Sequence, residues 1–184
     1  MFDALRILSI SNNEITGVLP SDAELPSSLL ELDLHHNLLQ GTLPSQWAAT
    51  EQQQQLIVLH LGSNANITGP IPDSFYRMFT RLEMLRLDMT SVNGTIPSWI
   101  HELDSLEVFN MSHSRIEGTI SKQWGLLSSL QQLDLGGTPT LSGTVPSELC
   151  ALRQTGQLET LVVNCGGNRP SVQCDCCTEC TTSS

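Results

Sequence analysis

"LDLHHNLLQGTLP", residues 32–44, crowds an aspartate and two histidines onto a short apolar segment. Asp33, His35 and His36 are either a local metal or acid–base site or the exposed positions of something regular. The choice depends on whether the segment is unique, and it is not. Segments with the same spacing begin at Leu5, Leu29, Leu56, Leu82, Leu106 and Leu130, and a truncated copy begins at Leu158.

Each copy contains two apolar residues that flank one polar or variable residue. This period-two alternation is typical of a half-buried strand. One such strand is not stable alone, but parallel copies stacked side by side bury a continuous aliphatic column. The repetition, at intervals of 24–28 residues, therefore predicts a solenoid.

The recurring pattern L-x-x-L-x-L-x-x-N-x-L-x-G-x-I-P resembles the plant-type leucine-rich repeat, and the resemblance covers nearly the whole chain. It implies a right-handed α/β solenoid with about seven parallel strands on the concave side and short helical or 3-10 segments on the convex side. At the usual strand spacing the stack would be roughly 30 Å long. Residues 1–157 are expected to form about six repeats, and residues 158–184 a last strand with a cysteine-rich cap.

Beyond the strand, every full copy shares two further sites, an asparagine position and a glycine position. The asparagine position reads Asn13, Asn37, Asn64, Thr90, Ser114 and Thr138. We expect its side chain to turn inward and bond backbone groups that the turn leaves unpaired. A hydroxyl offers fewer bonds than an amide, so a looser turn is predicted in the last three copies.

The glycine that follows permits a backbone conformation closed to other residues, or close packing between coils. It occurs as Gly17, Gly41, Gly69, Gly94, Gly118 and Gly143.

Proline follows the glycine by three residues in five of the six copies, and Ser121 replaces it in the other. Bulky residues stand three positions further on. They are Trp47, Phe75, Ile100, Trp124 and Leu149. Their alignment predicts one buried column on the convex side rather than an aromatic sugar-binding surface.

The two ends of the chain differ. Residues 1–4 resemble the tail of an earlier repeat, because Phe2 precedes Leu5 as Phe79 precedes Leu82. We expect a missing N-terminal part, which would also account for the lack of a signal peptide.

The cysteines all lie at the other end, as Cys150, Cys165, Cys174, Cys176, Cys177 and Cys180. Their even number and terminal position favour disulfides over a zinc site, with the pairing left open among 15 connectivities. The arrangement resembles cysteine-rich caps of extracellular repeat proteins of plants and algae.

Composition restricts the partners. The formal net charge of -11, from 8 Lys+Arg and 19 Asp+Glu, argues against nucleic acid, whose affinity comes largely from basic residues. No apolar run approaches the ~20 residues of a membrane span. Three Asn-x-Ser/Thr triplets, at Asn66, Asn93 and Asn110, are glycosylation candidates. With the cysteines they favour an extracellular or cell-surface location.

The exposed strand positions predict a polar patch on the concave face. Adjacent strands would bring Asp33, His60 and Arg86 into line, with His35, His36 and Asp88 beside them. The candidate ligand-binding residues are Asp33, His35, His36, His60, Arg86, Asp88, His113 and Asp134. The alternatives are a merely solvated face and a 2-His-1-carboxylate metal or catalytic site. We expect no metal, cofactor or enzyme activity, because an open sheet offers no water-excluding pocket and no nucleophile–base set appears.

The resemblance implies non-catalytic recognition of a protein or peptide, with a glycan as a further option. Plant-type relatives act as receptor ectodomains, co-receptors and inhibitors of secreted polysaccharide-degrading enzymes such as polygalacturonase. The acidic charge would suit a basic partner. The alternative is a structural or adhesive wall protein in which the repeat is a scaffold without one specific ligand.

Overall fold

The computed structural model describes residues 4–48, 55–168 and 170–182. Phe2 and residues 183–184 therefore lie outside the described residues. The described residues contain an eight-stranded parallel sheet, in the order β1-β3-β5-β7-β9-β11-β13-β15. Its strands are β1 (Ile7–Ser9), β3 (Glu31–Asp33), β5 (Val58–His60), β7 (Met84–Arg86), β9 (Val108–Asn110), β11 (Gln132–Asp134), β13 (Thr160–Val163) and β15 (Glu179–Cys180). Each of the seven predicted strands is present, and the cap adds β15. The predicted solenoid is confirmed.

A second parallel sheet, which the sequence pattern did not predict, runs along the flank of the stack in the order β14-β12-β10-β8-β6-β4-β2. Its strands are β2 (Thr16–Val18), β4 (Leu38–Thr42), β6 (Asn66–Gly69), β8 (Ser91–Thr95), β10 (Arg115–Thr119), β12 (Leu141–Thr144) and β14 (Val172–Gln173). The repeated glycine lies within or beside these strands with φ between 79° and 113°. Glycine is a poor strand former, so its recurrence gave no signal of a strand.

Short helical segments form the convex side, as predicted. Within the described residues, three of them are 3-10 helices, Ser45–Ala48, Ser98–Glu102 and Lys122–Leu126. Two others are α-helices, α1 (Asp73–Met78) and α2 (Ser147–Gln154). The predicted bulky column is buried, with exposed fractions of 0–2% at Trp47, Phe75, Ile100, Trp124 and Leu149. None of the helices in the described part of the chain has the length and apolar character needed to cross a bilayer.

The asparagine position is buried from the second repeat onward. Asn13 in the first repeat is exposed, but its amide also donates to carbonyls of its own turn, those of Ile10 and Ser11. The Asn64 side chain, 0% exposed, donates to the carbonyls of Leu34 and Leu61 and accepts from the N–H of Leu39. It therefore joins its own repeat to the preceding one. Thr90 instead bonds only within its own repeat, to Leu87 and Val92.

The hydroxyls make fewer bonds than the amides, as predicted, and the Ser114 Oγ atom has no partner in the described residues. A looser turn in the last three copies stays a prediction. The residue before the asparagine position is left-handed throughout, with φ of 54–57° in five copies and 65° at Gly137. Other hydroxyls supply bonds between repeats in the C-terminal half. Ser91 donates to the Ala65 carbonyl at 2.8 Å, and Thr140 to the Ile116 carbonyl at 2.6 Å.

The cysteine-rich segment closes the C-terminal end of the core. Cys150 is bonded to Cys176, Cys165 to Cys180 and Cys174 to Cys177. The structure thus supports the disulfide alternative over zinc. Beneath the cap Val163 and Val172 are fully buried, because β15 and β14 extend the two sheets by one strand each.

Candidate functional site: the concave sheet

Parallel pairing in register builds the predicted row on the concave face. Asp33 pairs with His60, His60 with Arg86, Arg86 with Asn110, and Asn110 with Asp134. Neighbouring strands lie about 4.8 Å apart, so side chains of adjacent repeats can touch. The alignment follows from the repeat itself, because each residue occupies the same position within its copy.

Asp33, His35 and His60 come together in what we term the histidine–aspartate cluster. The Asp33 Oδ1 atom lies 2.6 Å from the His35 Nδ1 atom and 3.6 Å from the His60 Nδ1 atom. The two imidazole rings are stacked, with centroids 4.2 Å apart and planes at 14°. The His35 Nε2 atom also lies 3.1 Å from the Asn12 Nδ2 atom. One carboxylate therefore orients two rings.

The cluster favours an ionised aspartate and a neutral His60. Burial raises the pKa of Asp33, but hydrogen bonds from the side chain and backbone of His35 outweigh it, and the pKa lies below its usual 3.8. Burial lowers the pKa of His60, and proximity to His35 lowers it further, while the charges of Asp33 and Asp88 act in the opposite direction. Burial thus favours the uncharged form of His60.

Arg86 and Asp88 lie on the next strand and its turn, and both are half-buried. The Arg86 Nε atom and the Asp88 Oδ1 atom are buried without a hydrogen-bond partner among the described residues. Within those residues the only ion pairs closer than 4.0 Å are those of Asp33 with the two histidines. The carboxylate of Asp88 lies over Gly62, where an added Cβ would approach Oδ1 to 2.7 Å. Neither charge is therefore neutralised by a close ion pair within the described residues.

The other candidates do not join the cluster. His36 and His113 occupy the left-handed turn position, with φ of 54° and 55°. His36 lines a flank hollow with Glu14 and Asn66, while the His113 ring lies against Gly137. Asp134 lies three strands away from His60 in the row, and its Oδ1 atom accepts the Gly136 N–H at 2.9 Å.

A structural role shared by three row residues was missed from the sequence. Asp33 accepts the His35 N–H at 3.1 Å and Asn110 the Ser112 N–H at 2.9 Å, as Asp134 does for Gly136. Each closes the end of its own strand with a local side-chain turn. An Asx residue two positions before a polar turn residue is the signal that could have indicated this. His60 and Arg86 have no such local bond among the described contacts.

An apolar strip beside the polar row was also missed. Val58, Met84 and Val108 are register partners on β5, β7 and β9, and all three are half-buried. They lie two residues before His60, Arg86 and Asn110, on the same face. The sequence carries a signal for this strip. Each of its residues stands just before the buried apolar residue of its strand and therefore points to the same face as the row residue that follows it.

The glycosylation candidates differ in position. Asn66 and Asn93 are exposed on β6 and β8 of the flank sheet. Asn110 lies half-buried in the concave row, as predicted. All three remain candidates, and a glycan on Asn110 would cover the centre of the row.

Stacked parallel strands, a buried leucine column and the repeated asparagine turn define a leucine-rich-repeat solenoid. Residues 4–24 and 28–49 match the family described as Leucine Rich Repeat. The fold is that of a plant-type leucine-rich-repeat solenoid, and the similar curated relatives are plant receptor-like proteins.

Two curated relatives come from Arabidopsis thaliana. Receptor-like protein 35 is 32% identical over 146 residues, which are 79% of this chain and 14% of the relative. Receptor-like protein 32 is 34% identical over 134 residues, which are 70% of this chain and 15% of the relative. The chain therefore spans only about a seventh of the length of these proteins.

Solved structures of plant receptors are similar as well. The plant peptide hormone receptor RGFR1, in complex with RGF2, has a TM-score of 0.77 and 27% identity, covering 94% of this chain and 25% of that one. The Arabidopsis receptor kinase HAESA, in complex with the peptide hormone IDA and the co-receptor SERK1, has a TM-score of 0.74 and 25% identity. That match covers 87% of this chain and 26% of the other.

Proposed function

We propose that the chain is a non-catalytic recognition module of a receptor-like protein, located outside the cell or at its surface. It binds a peptide or protein on the concave sheet. The observation that carries this proposal is the occurrence of charged groups without a close ion pair beside apolar surface on one face. Arg86 and Asp88 form no ion pair closer than 4.0 Å within the described residues. The strip of Val58, Met84 and Val108 lies beside them.

Such a face suits an extended ligand laid across the strands. Side chains on successive strands recur every ~4.8 Å, so a peptide that crosses three repeats meets apolar contacts in one row and polar contacts in the next. Acidic groups outnumber basic ones in the chain, 19 to 8. Complementary charge steers encounter and selects the partner more than it adds affinity, so the preferred ligand carries lysine or arginine beside apolar residues.

The test begins with a displayed library of random peptides selected against the purified chain. We expect enrichment of peptides with basic and apolar residues, and saturable binding that weakens as salt rises, because exposed charges are screened over about 10 Å at 0.1 M. Asp88→Asn and Met84→Thr should each weaken binding of a selected peptide. Glu102 is exposed on the convex side, so Glu102→Gln is the matched control and should leave affinity unchanged.

A different result would favour the scaffold alternative. Selection without enrichment, or binding that neither saturates nor responds to Asp88→Asn, Met84→Thr and Arg86→Gln, would contradict recognition at the concave face.

A further inference from the structure

We propose that the histidine–aspartate cluster binds one divalent transition-metal ion of the zinc, nickel and copper class through Asp33, His35 and His60. This site is additional to ligand recognition, and its test does not depend on that function. The three residues project from the ends of two adjacent strands, β3 and β5, whose register pairs Asp33 directly with His60. Their positions are therefore fixed by backbone pairing rather than by a free loop.

The donor atoms lie at distances that a small ion can span. One ligand atom from each residue lies within 4.8 Å of the other two. The two contacts to the carboxylate oxygen, 2.6 Å and 3.6 Å, bracket the ligand–ligand separation of about 3.3 Å that follows from tetrahedral bonds of about 2.0–2.1 Å. Completing three bonds therefore requires the donor atoms to shift and one imidazole ring to turn.

Metal binding requires one of the two stacked imidazole rings to turn. An imidazole lone pair lies in the plane of its ring, so two nearly parallel rings cannot both point at one ion until one of them turns. His60 is the ring that can turn, because no hydrogen bond to it within 3.5 Å occurs in the described residues. His35 would exchange its bond with Asp33 for the ion and would then carry its proton on Nε2. The Asn12 amide, whose Nδ2 atom now lies 3.1 Å from that nitrogen, would have to turn and present its oxygen to act as an outer-shell acceptor.

The surrounding charge is compatible with a cation. Asp33 and Asp88 are negative and Arg86 is positive, and the charges of all three act on His60. The set of two imidazoles and one carboxylate prefers zinc, nickel or copper, whereas magnesium and calcium prefer oxygen ligands. The three residues lie half-buried on the concave sheet, so a bound ion would keep contact with solvent. The expectation of no metal rested on the lack of a closed pocket, which a binding site with open positions does not require.

The cysteine cap provides no competing site while it is oxidised. Cys165, Cys174 and Cys177 also lie close together, but all three are in disulfides and carry no thiolate. Metal binding by the oxidised chain therefore reports on histidine and carboxylate groups alone.

The experiment is calorimetric titration of oxidised, tag-free protein, stripped with chelator, with zinc, nickel, magnesium and calcium chlorides. We expect one zinc or nickel ion per chain and no saturable binding of magnesium or calcium. His60→Ala and Asp33→Asn should each weaken zinc binding at least about tenfold. His36→Ala and His113→Ala are matched controls, since both histidines lie outside the cluster, and should leave binding unchanged.

A spectroscopic measurement keeps the proposal testable if a variant fails to fold. In the unmodified protein, zinc should shift the imidazole ¹⁵N resonances of His35 and His60 and leave those of His36, His101 and His113 in place. Absence of saturable zinc binding, equal weakening by the control variants, or shifts confined to other histidines would overturn the proposal.

Discussion

Position 121 holds serine where five other repeats hold proline. The Ser121 backbone, with φ of −79° and ψ of 154°, already fits a proline ring. Its hydroxyl is buried without a partner, and no hydrogen bond from its N–H occurs within the described residues. Ser121→Pro should therefore raise the free energy of unfolding by about 0.4–1 kcal/mol, chiefly by restricting the unfolded chain.

Thermal unfolding measures this change, with a rise in melting temperature of about 1–4 °C expected for a chain of this size. The reverse change in the preceding repeat, Pro97→Ser, serves as the matched control and should lower the melting temperature. A fall on Ser121→Pro would show that the serine N–H or hydroxyl is bonded after all.

His60 should titrate below its usual pKa of 6.5. Because burial depresses its pKa, the folded chain binds fewer protons than the unfolded chain between the folded pKa and 6.5. Any stability linked to His60 is thus fully present above pH 6.5 and is lost as pH falls through that window. Proton NMR titration of chelator-treated protein measures the folded pKa. Asp33→Asn should lower it further, because the charge of Asp33 raises it.

The appropriate comparison is Arg86→Gln, which should raise the pKa of His60, because the guanidinium charge lowers it. A folded pKa at or above 6.5, or the same pKa in both variants, would contradict the described environment.

The concave candidates show which parts of a site a repeat sequence can predict. Asp33, His60 and Arg86 were placed correctly in one row, because copy number and position determine register. Their contacts were not predictable in this way. Whether Asp134 faces a ligand or bonds the Gly136 N–H depends on its χ angles, and His36 was assigned to the patch although its left-handed turn directs it to the flank.

Among the secondary-structure elements, the concave strands were predicted and the flank strands were not. The concave strands have two buried apolar residues that alternate with exposed ones, which is a local signal. In the described residues six of the seven flank strands contain a glycine at positive φ, and all seven are 2–5 residues long. They are stabilised by pairing with the same segment in the next repeat. The sequence of a single repeat contains no signal for that pairing.

The cap disulfides close loops of very different length, with sequence separations of 26, 15 and 3 residues. Loop-closure entropy predicts that the longest loop stabilises most. The advantage is about 0.5 kcal/mol for the first over the second, and about 1.4 kcal/mol for the second over the third. Replacing Cys150 and Cys176 together by serine should therefore lower the melting temperature most. Replacing Cys174 and Cys177 should lower it least.

Non-reducing thermal unfolding of the three paired variants gives the ranking, with mass spectrometry to confirm that the remaining disulfides are intact. The inverse ranking would mean that the three-residue bridge stabilises the cap through folded-state packing rather than through the unfolded chain.

Burial along the stack is asymmetric between its ends. One core column is 39% exposed at Ile10, 8% at Leu34 and 0% at Leu61. A second column falls from 36% at Ile15 through 7% at Leu39 to 0% at Ile67. At the opposite end the cap keeps Val163 fully buried. Because each repeat contacts only its neighbours, stability should rise from the first repeat toward the cap.

A matched pair of variants in one column tests this gradient. Leu135→Ala, at a position that is 0% exposed, should cost about 2–5 kcal/mol through lost burial and the cavity left behind. Ile10→Ala should cost less, because part of the removed side chain already contacts water. Amide exchange should follow the same order, with β1 exchanging before β11 and β13. Equal costs with equal protection would contradict the gradient. They would indicate that the first repeat is covered in solution, which size-exclusion chromatography at several concentrations would reveal as self-association.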